Sequence, residues 1–141
     1  MLKLIRKLCK FNSCKFLGIF PKDYFPTRIT EYPSCLVANT DISSSQGLHW
    51  VVFYFHSAYR YEFFDSLGTV PLDYQFPIIN SSFVYSKYSI QSSDSSICGH
   101  YCLVFLYLKL RGKSFRSIIH SFSSIDLDWN DQQISAVFKL R

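Results

Sequence analysis

The sequence lacks a hydrophobic run long enough to cross a bilayer. Its longest uninterrupted apolar stretch, Tyr101–Leu108, is far shorter than the roughly 20 residues that a spanning helix needs. The first ten residues, MLKLIRKLCK, mix cationic and apolar side chains, so the separate apolar core of a secretory signal is missing. No internal repeat and no GxSxG-like elbow is present. These absences predict an intracellular protein with no membrane partner, and they exclude repeat arrays and elbow-type serine hydrolases.

A disulfide framework is also missing. The five cysteines, at positions 9, 14, 35, 98 and 102, are odd in number and irregularly spaced. Thiols stay free in a reducing compartment, which agrees with an intracellular location. One of these cysteines is therefore a candidate reactive thiol.

Acidic residues are few, and the charge is unevenly distributed. The chain of 141 residues has 15 Lys and Arg against 10 Asp and Glu, a net charge of +5. Residues 1–30 and 109–141 are basic, whereas residues 31–108 are acidic. A hydrophobic content of 48% excludes a disordered chain, and the length predicts a single domain, monomeric, over residues 1–141. The basic ends suggest contact with a polyanion or, alternatively, a solvated surface.

Hydrophobic periodicity predicts an α+β fold with a central mixed sheet. A hairpin over residues 49–65 and a buried helix that begins at Cys98 are its main features. Asn130, with Gln133 three residues later, predicts the N-cap of a last helix that ends near residue 140. The other predicted elements are an amphipathic helix over 2–9, a short strand over 36–39 and a strand over 83–90.

The predicted hairpin brings a histidine and an aspartate together. With its turn near residues 57–59, either Val51 faces Asp65 and His49 is its diagonal neighbour, or His49 and Asp65 face each other directly. In both registers the two side chains share one face. A carboxylate that fixes the tautomer of an imidazole makes it a general base. Taken alone, a chance pair on a surface strand is the alternative.

A cysteine opens the predicted buried helix, directly after a polar loop. The helix dipole and the free amides at such a position favour the thiolate. Gly99 removes side-chain bulk where a substrate backbone would approach. Gln91 is placed to donate its amide beside the backbone N–H of Cys98, which gives an oxyanion hole with two donors. Taken alone, Cys98 also fits a small core residue.

Together these residues resemble the adenovirus-type processing cysteine proteases, which occur in adenoviruses and in virus-like large DNA transposons. The wider group, which includes the ubiquitin-like-protein-specific proteases, shares the order His, Asp or Glu, Gln, Cys. The likeness covers roughly residues 15–112. Its motifs are GLHW at 47–50, the acid Asp65, Gln91 seven residues before Cys98-Gly99, FLGIF at 16–20 and CLVANT at 35–40.

The resemblance implies a thiol endopeptidase that cleaves glycine-containing sites in viral or virus-like precursor or capsid-type proteins, in the host nucleus or the virion. The catalytic residues would be Cys98, His49, Asp65 and Gln91. It also implies stimulation by DNA and by a viral peptide. In the adenovirus enzyme that peptide is disulfide-linked to a cysteine between the acid and the Gln, and residues 66–90 contain none. The aspartate is typical of the SUMO-protease branch, so a protease for ubiquitin-like modifiers is the first alternative.

Further residues have predicted roles around this site. Trp50 follows the base and would shield the site, or is a plain core aromatic; with Gly99 it is the predicted substrate-binding pair. Cys98, His100 and Cys102 have a C-x-H-x-C spacing, but on a helix position 100 points away from the other two and no fourth ligand is evident. We therefore predict no metal and no organic cofactor.

Two basic groups predict binding of DNA without sequence preference. A non-catalytic nucleic-acid-binding protein is consequently the second alternative, and the complete set of four catalytic residue types argues against it. The groups are Lys3, Arg6, Lys7 and Lys10 on the first helix, and Lys109, Arg111, Lys113 and Arg116 after the central helix.

Overall fold

The computed structural model of the protein describes residues 1–45, 48–77 and 81–139. Within these ranges helices and strands are both present, and the predicted α+β class is confirmed. Two short 3₁₀ turns, Lys22–Tyr24 and Pro71–Tyr74, lie in the connections. The main elements are α1 (Leu2–Phe11), β1 (Lys15–Phe20), β2 (Ser34–Asn39), β3 (Trp50–Ser57), β4 (Arg60–Phe64), β5 (Ser82–Tyr85), α2 (Cys98–Leu110), α3 (Phe115–His120) and α4 (Leu127–Lys139).

The five strands form one mixed sheet in the order β1-β2-β3-β4-β5. The two outer pairs are parallel, and the two inner pairs are antiparallel. Strands β3 and β4 are the predicted hairpin. Val52 pairs with Phe64, which is the first of the two predicted registers, and a bulge lies between Phe55 and Ser57.

Helix α2 lies against one face of the sheet, as its apolar sequence predicts for a central helix. Phe105 of α2 stacks on Phe64 of β4 with ring centroids 4.5 Å apart. Helices α1, α3 and α4 pack around α2, so the cysteine that begins α2 is fixed by the main core. The other face of the sheet carries a second aromatic core, in which Phe25 and Phe76 from the connecting segments cover Phe53.

The predicted strand over 83–90 is too long. Strand β5 ends at Tyr85, and residues 86–90 are irregular. Their backbone is instead drawn to the turn after β4, where Ile90 and Gln91 both donate an N–H to the carbonyl oxygen of Ser66 at 2.8 and 3.1 Å. This contact ends the strand and brings Gln91 beside the end of β4.

The predicted N-cap at Asn130 is wrong. Helix α4 begins three residues earlier, and the carboxylate of Asp126 accepts the N–H of Trp129 at 2.9 Å. Asn130 is fully buried and donates to the carbonyl oxygens of Ser123 and Ile90. Asn130 therefore has the residue type and spacing of an N-cap, but its role is to bond buried carbonyl groups. The predicted helix end at residue 140 lies outside the described residues.

Two elements were not predicted. Strand β1 pairs in parallel with β2 at the edge of the sheet, and its Gly18 is at φ +136°, where the pairing is irregular. Helix α3 is a short helix capped by Ser114, whose hydroxyl accepts the N–H of Ser117 at 3.1 Å. Both lack the clear periodicity on which the other predictions depend.

Within the described part of the chain, no helix combines the length and apolar character that bilayer crossing requires.

Candidate active site

His49 and Asp65 form a buried hydrogen-bonded pair at the open end of the hairpin. His49 lies directly before β3, and Asp65 directly follows β4. The His49 Nε2 atom is 2.5 Å from Asp65 Oδ1, and the residues are 7% and 0% exposed. The pairing predicted from the hairpin is therefore present. Since Nε2 contacts the carboxylate, Nδ1 is the ring nitrogen left for a second partner.

The carboxylate of Asp65 is held by three further donors. The backbone N–H of Leu67 donates to Oδ1 at 2.8 Å, which is an Asx turn. The N–H of Thr69 and the hydroxyl of Tyr74 donate to Oδ2 at 3.2 and 2.7 Å. The turn and Tyr74 thus hold both carboxylate oxygens, and the orientation of the carboxylate toward His49 does not depend on the histidine alone.

Gly68 is required by the turn that follows Asp65. Its φ is +76°, and its N–H donates to the carbonyl oxygen of Asp65 at 2.9 Å. A Cβ at this position would lie 2.4 Å from the backbone carbon of Tyr88. No residue with a side chain can take this conformation so close to another backbone segment. The sequence Asp65-Ser-Leu-Gly68 is therefore a turn signature as well as part of the site.

Cys98 is the first residue of α2 and lies beside His49. Burial lowers the pKa of His49, but Asp65 and the Cys98 thiolate outweigh it and raise the pKa to about 9. Burial raises the pKa of Cys98, but the interactions with His49 and with the backbone at Trp50 outweigh it, so the pKa is lowered from its usual range. Both shifts favour the same state, a thiolate beside an imidazolium.

Gln91 lies near the loop that leads to Cys98, with its amide fully engaged. Its Oε1 accepts the hydroxyl of Ser66 at 2.5 Å, and its Nε2 donates to the carbonyl oxygen and the hydroxyl of Ser95 at 3.0 and 2.8 Å. The amide nitrogen therefore faces the loop before the thiol rather than an open oxyanion position. To donate to an oxyanion, Nε2 would have to give up one of its two hydrogen bonds to Ser95, and the oxyanion role of Gln91 stays a prediction.

A cavity of about 340 Å³ lies at the start of α2, where it borders Gly99, the residue after Cys98. Its lining includes Trp50, Gly99 and Leu103, so both residues predicted to contact substrate border it. A Cβ at Gly99 would meet only Trp50 Cδ1, at 3.6 Å, which is an ordinary van der Waals contact. The fold therefore does not require glycine at position 99.

The predicted basic residues do not all reach the surface. Lys109 Nζ lies 2.7 Å from Glu62 Oε2 and 5.0 Å from the centroid of the Tyr54 ring, and its side chain is only 11% exposed. Its charge neutralises a buried carboxylate, so its predicted contact with DNA does not fit the structure. The other basic residues of the two groups are exposed, and DNA binding by them stays a prediction: Lys3, Arg6, Lys7, Lys10, Arg111, Lys113 and Arg116.

Two residues of this site were missed by sequence reasoning. Tyr74 and Ser66 hold Asp65 and Gln91, yet neither lies in a predicted motif. The Asp-x-x-Gly turn offered a signal for Ser66, whereas the approach of Tyr74 is purely tertiary. Gly47 of the GLHW motif lies outside the described residues.

Comparisons with known proteins give one sequence relative and two solved structures of similar fold. No protein-family model matches the chain. The protease of frog adenovirus 1 is 31% identical over 109 residues, which cover 64% of this chain and 53% of that protein. Two crystal structures of the ASFV pS273R protease have TM-scores of 0.58 and 0.57 at 16% and 14% identity. Each covers 90% of this chain, which in turn covers 62% and 61% of those chains.

The resemblance to adenovirus-type proteases is therefore confirmed. The sequence relative is an adenovirus protease, and the fold is that of the solved ASFV enzyme. The chain spans about half the length of the curated relative that it matches.

Proposed function

We propose that the protein is a cysteine endopeptidase with Cys98 as its nucleophile. The observation that carries this proposal is the buried pair of His49 and Asp65 next to a thiol whose pKa is lowered. A buried acid, a base and a cysteine at a helix N-terminus are the three parts that nucleophilic thiol catalysis requires. Its frog adenovirus relative is a protease, which supports the same reaction.

The reaction begins with attack of the Cys98 thiolate on the carbonyl carbon of a peptide bond. The oxyanion that forms would accept hydrogen bonds from the Cys98 N–H and from Gln91. His49 gives its proton to the leaving amine as the C–N bond breaks, leaving a thioester. The neutral imidazole then takes a proton from water, hydroxide adds to the thioester, and the acid product leaves as the thiolate is restored. Asp65 keeps the ring oriented throughout and stabilises the imidazolium.

The proposed substrates are precursor proteins cleaved at glycine-containing sites. Gly99 supports this, because the fold itself would accept a Cβ there and the cavity borders this glycine, the residue after Cys98. Small residues on both enzyme and substrate allow the two backbones to approach closely. By analogy with its viral relative, we assign this processing to an infected cell or a virus-like particle.

Sequencing the products from a peptide library tests the proposal. The wild-type protein should release peptides with glycine next to the cut, and Cys98→Ala should release none. Cys102→Ala is the matched control, because this cysteine is buried in the same helix and lies outside the catalytic residues. Cleavage after a folded ubiquitin-like modifier only, with no peptide cut, would favour the modifier-protease alternative. Equal cleavage by Cys98→Ala would refute the proposal.

A further inference from the structure

Three cysteines outside the active site meet in a second cluster. Cys9 lies in the last turn of α1, Cys14 just before β1, and Cys35 in β2. All three are buried and carry free thiols. The Sγ atoms of Cys9 and Cys14 lie 3.7 and 3.9 Å from the Sγ of Cys35, and the three sulfurs are all within 4.8 Å of one another.

The end of α1 explains why Cys9 and Cys14 meet. The N–H of Cys14 donates to the carbonyl oxygen of Cys9 at 2.8 Å, and the N–H of Ser13 donates to that of Lys10 at 3.3 Å. With Ser13 at φ 55°, these two bonds form a Schellman motif. That motif places the residue after the left-handed position against the residue five earlier. The local sequence therefore places the thiols of Cys9 and Cys14 next to each other at the end of α1.

The parallel edge of the sheet supplies the third thiol. The N–H of Lys15 donates to the carbonyl oxygen of Pro33 at 3.0 Å, and Phe16 pairs with Cys35 in the register of β1 and β2. Because β1 begins one residue after Cys14, this register places Cys35 beside the Cys9 and Cys14 pair. Three residues far apart in sequence thus reach one point through a helix cap and a strand pair.

The spacing of the sulfurs fits a thiophilic metal ion. Zn–S bonds are about 2.3 Å long, so two thiolates of a tetrahedral zinc site lie about 3.8 Å apart. The two shorter sulfur separations, 3.7 and 3.9 Å, bracket this value. An ion at the centre of the three sulfurs needs little movement of the backbone.

The surroundings of the cluster match the charge and access that such an ion requires. Zn²⁺ with three thiolates carries a net charge of −1. A surface pocket of about 330 Å³ is lined by Cys9 and Cys14 together with the cations Arg6, Lys10 and Lys15. These cations compensate the negative charge. The pocket also gives an entry path and room for a solvent molecule as the fourth ligand.

Although the sequence alone predicted no metal, we propose that Cys9, Cys14 and Cys35 form a zinc site, with water as the fourth ligand. Binding releases the three thiol protons to solvent and involves no redox step. The site joins α1 to the parallel edge of the sheet, because its ligands come from the end of α1, the connection and β2. This role is independent of the proposed hydrolysis, since Cys98 is not among the ligands.

Metal titration of the tag-free 141-residue chain tests this proposal. The Cys98→Ala background removes the catalytic thiol as a competing ligand, and a phosphine reductant keeps the other thiols reduced. We expect one equivalent of Zn²⁺ per chain in competition with a chromophoric chelator, and thiolate-to-metal charge-transfer absorption when Cd²⁺ replaces it. Cys35→Ala should weaken the affinity by more than about 100-fold, more than the usual effect of removing a group that only supports a ligand. Cys102→Ala, a buried cysteine outside the cluster, is the matched control and should bind as the background does.

Two further measurements keep the test decisive if Cys35→Ala folds poorly. Cys14→Ala removes a ligand nearer the surface, and circular dichroism reports whether each variant is folded. Alkylation mapping should show Cys9 and Cys14 protected in the zinc-loaded background and labelled after chelation. Unchanged zinc affinity in folded Cys14→Ala and Cys35→Ala, or no stoichiometric binding by the background protein, would overturn the proposal.

Discussion

Replacing Asp65 with asparagine keeps the shape of the side chain and removes one acceptor oxygen. The native carboxylate accepts from His49 and Leu67 on Oδ1 and from Thr69 and Tyr74 on Oδ2. An amide has one oxygen, so its NH₂ group must replace one of these two acceptors. Each of the two orientations has a different cost.

If the NH₂ group takes the place of Oδ1, it donates to Nε2 of His49. The ring then carries its hydrogen on Nδ1, and that nitrogen can no longer accept a proton from Cys98. If the NH₂ group takes the place of Oδ2, it faces the N–H of Thr69, while the hydroxyl of Tyr74 can rotate and accept. The second orientation keeps the tautomer but still loses the negative charge that stabilises imidazolium.

We therefore expect a larger effect on rate than on stability. The corresponding change in a Ser-His-Asp protease lowers kcat by about 10⁴-fold, which is about 5.4 kcal/mol at 1.36 kcal/mol per factor of ten. Folding loses about one acceptor for a buried N–H, which costs about 1–3 kcal/mol. For Asp65→Asn we expect a loss of about 10³–10⁴-fold in kcat/KM in a protein that still folds.

Peptide hydrolysis and urea unfolding of the same preparation separate the two effects. Asp73→Asn is the matched control, because this exposed aspartate lies next to Tyr74 in the turn that covers the site. It should change neither quantity. Wild-type turnover in Asp65→Asn would show that Asp65 does not orient the base. A decrease in the free energy of unfolding as large as the increase in the activation free energy would make its role structural.

The pH dependence gives a second readout of the same residue. The pKa of His49 is raised to about 9 from an ordinary value of about 6.5. A raised pKa in the folded state contributes stability that is fully present below pH 6.5 and is lost as the pH rises through about 9. Activity should fall over the same pH range, which forms the alkaline limb of the pH–rate profile, because neutral His49 cannot protonate the leaving amine. In Asp65→Asn this limb should move to lower pH; an unchanged limb would assign it to another group.

Three further outcomes can be measured with the same assays. Gln91→Ala should lower kcat by about 10²–10³-fold with little change in the alkylation of Cys98, and an equal loss of alkylation would assign it a structural role. Gly99→Ala should raise KM for peptides while leaving the melting temperature unchanged or slightly higher, because only an ordinary contact is added; an unfolded variant would contradict this reasoning. Duplex DNA of any sequence should bind with an affinity that falls with salt, by about 0.9 in log–log slope per phosphate contacted, and replacing Arg6 and Arg111 with Gln should flatten that slope; no binding at low salt would remove DNA as a partner.

The hairpin and the central helix could be predicted because their signals are local. Aromatic and β-branched content defines β3, and an apolar stretch with no polar face defines α2 from Cys98 to Leu110. Since antiparallel strands joined by a short turn meet at fixed offsets, the hairpin alone brought His49 to Asp65. The resemblance then connected this pair with Gln91 and Cys98.

The order of residues along the chain determined which side chains form the candidate active site, and the tertiary structure decided which other residues hold these side chains in place. Tyr74 reaches Asp65 from a connecting turn, and Lys109 turns inward to a carboxylate on β4 rather than outward to solvent. The clustering of Cys35 with two N-terminal thiols depends on the pairing of β1 with β2. Each of these contacts joins segments whose separation depends on packing, and packing free energy is shared among many residues rather than encoded in any one spacing.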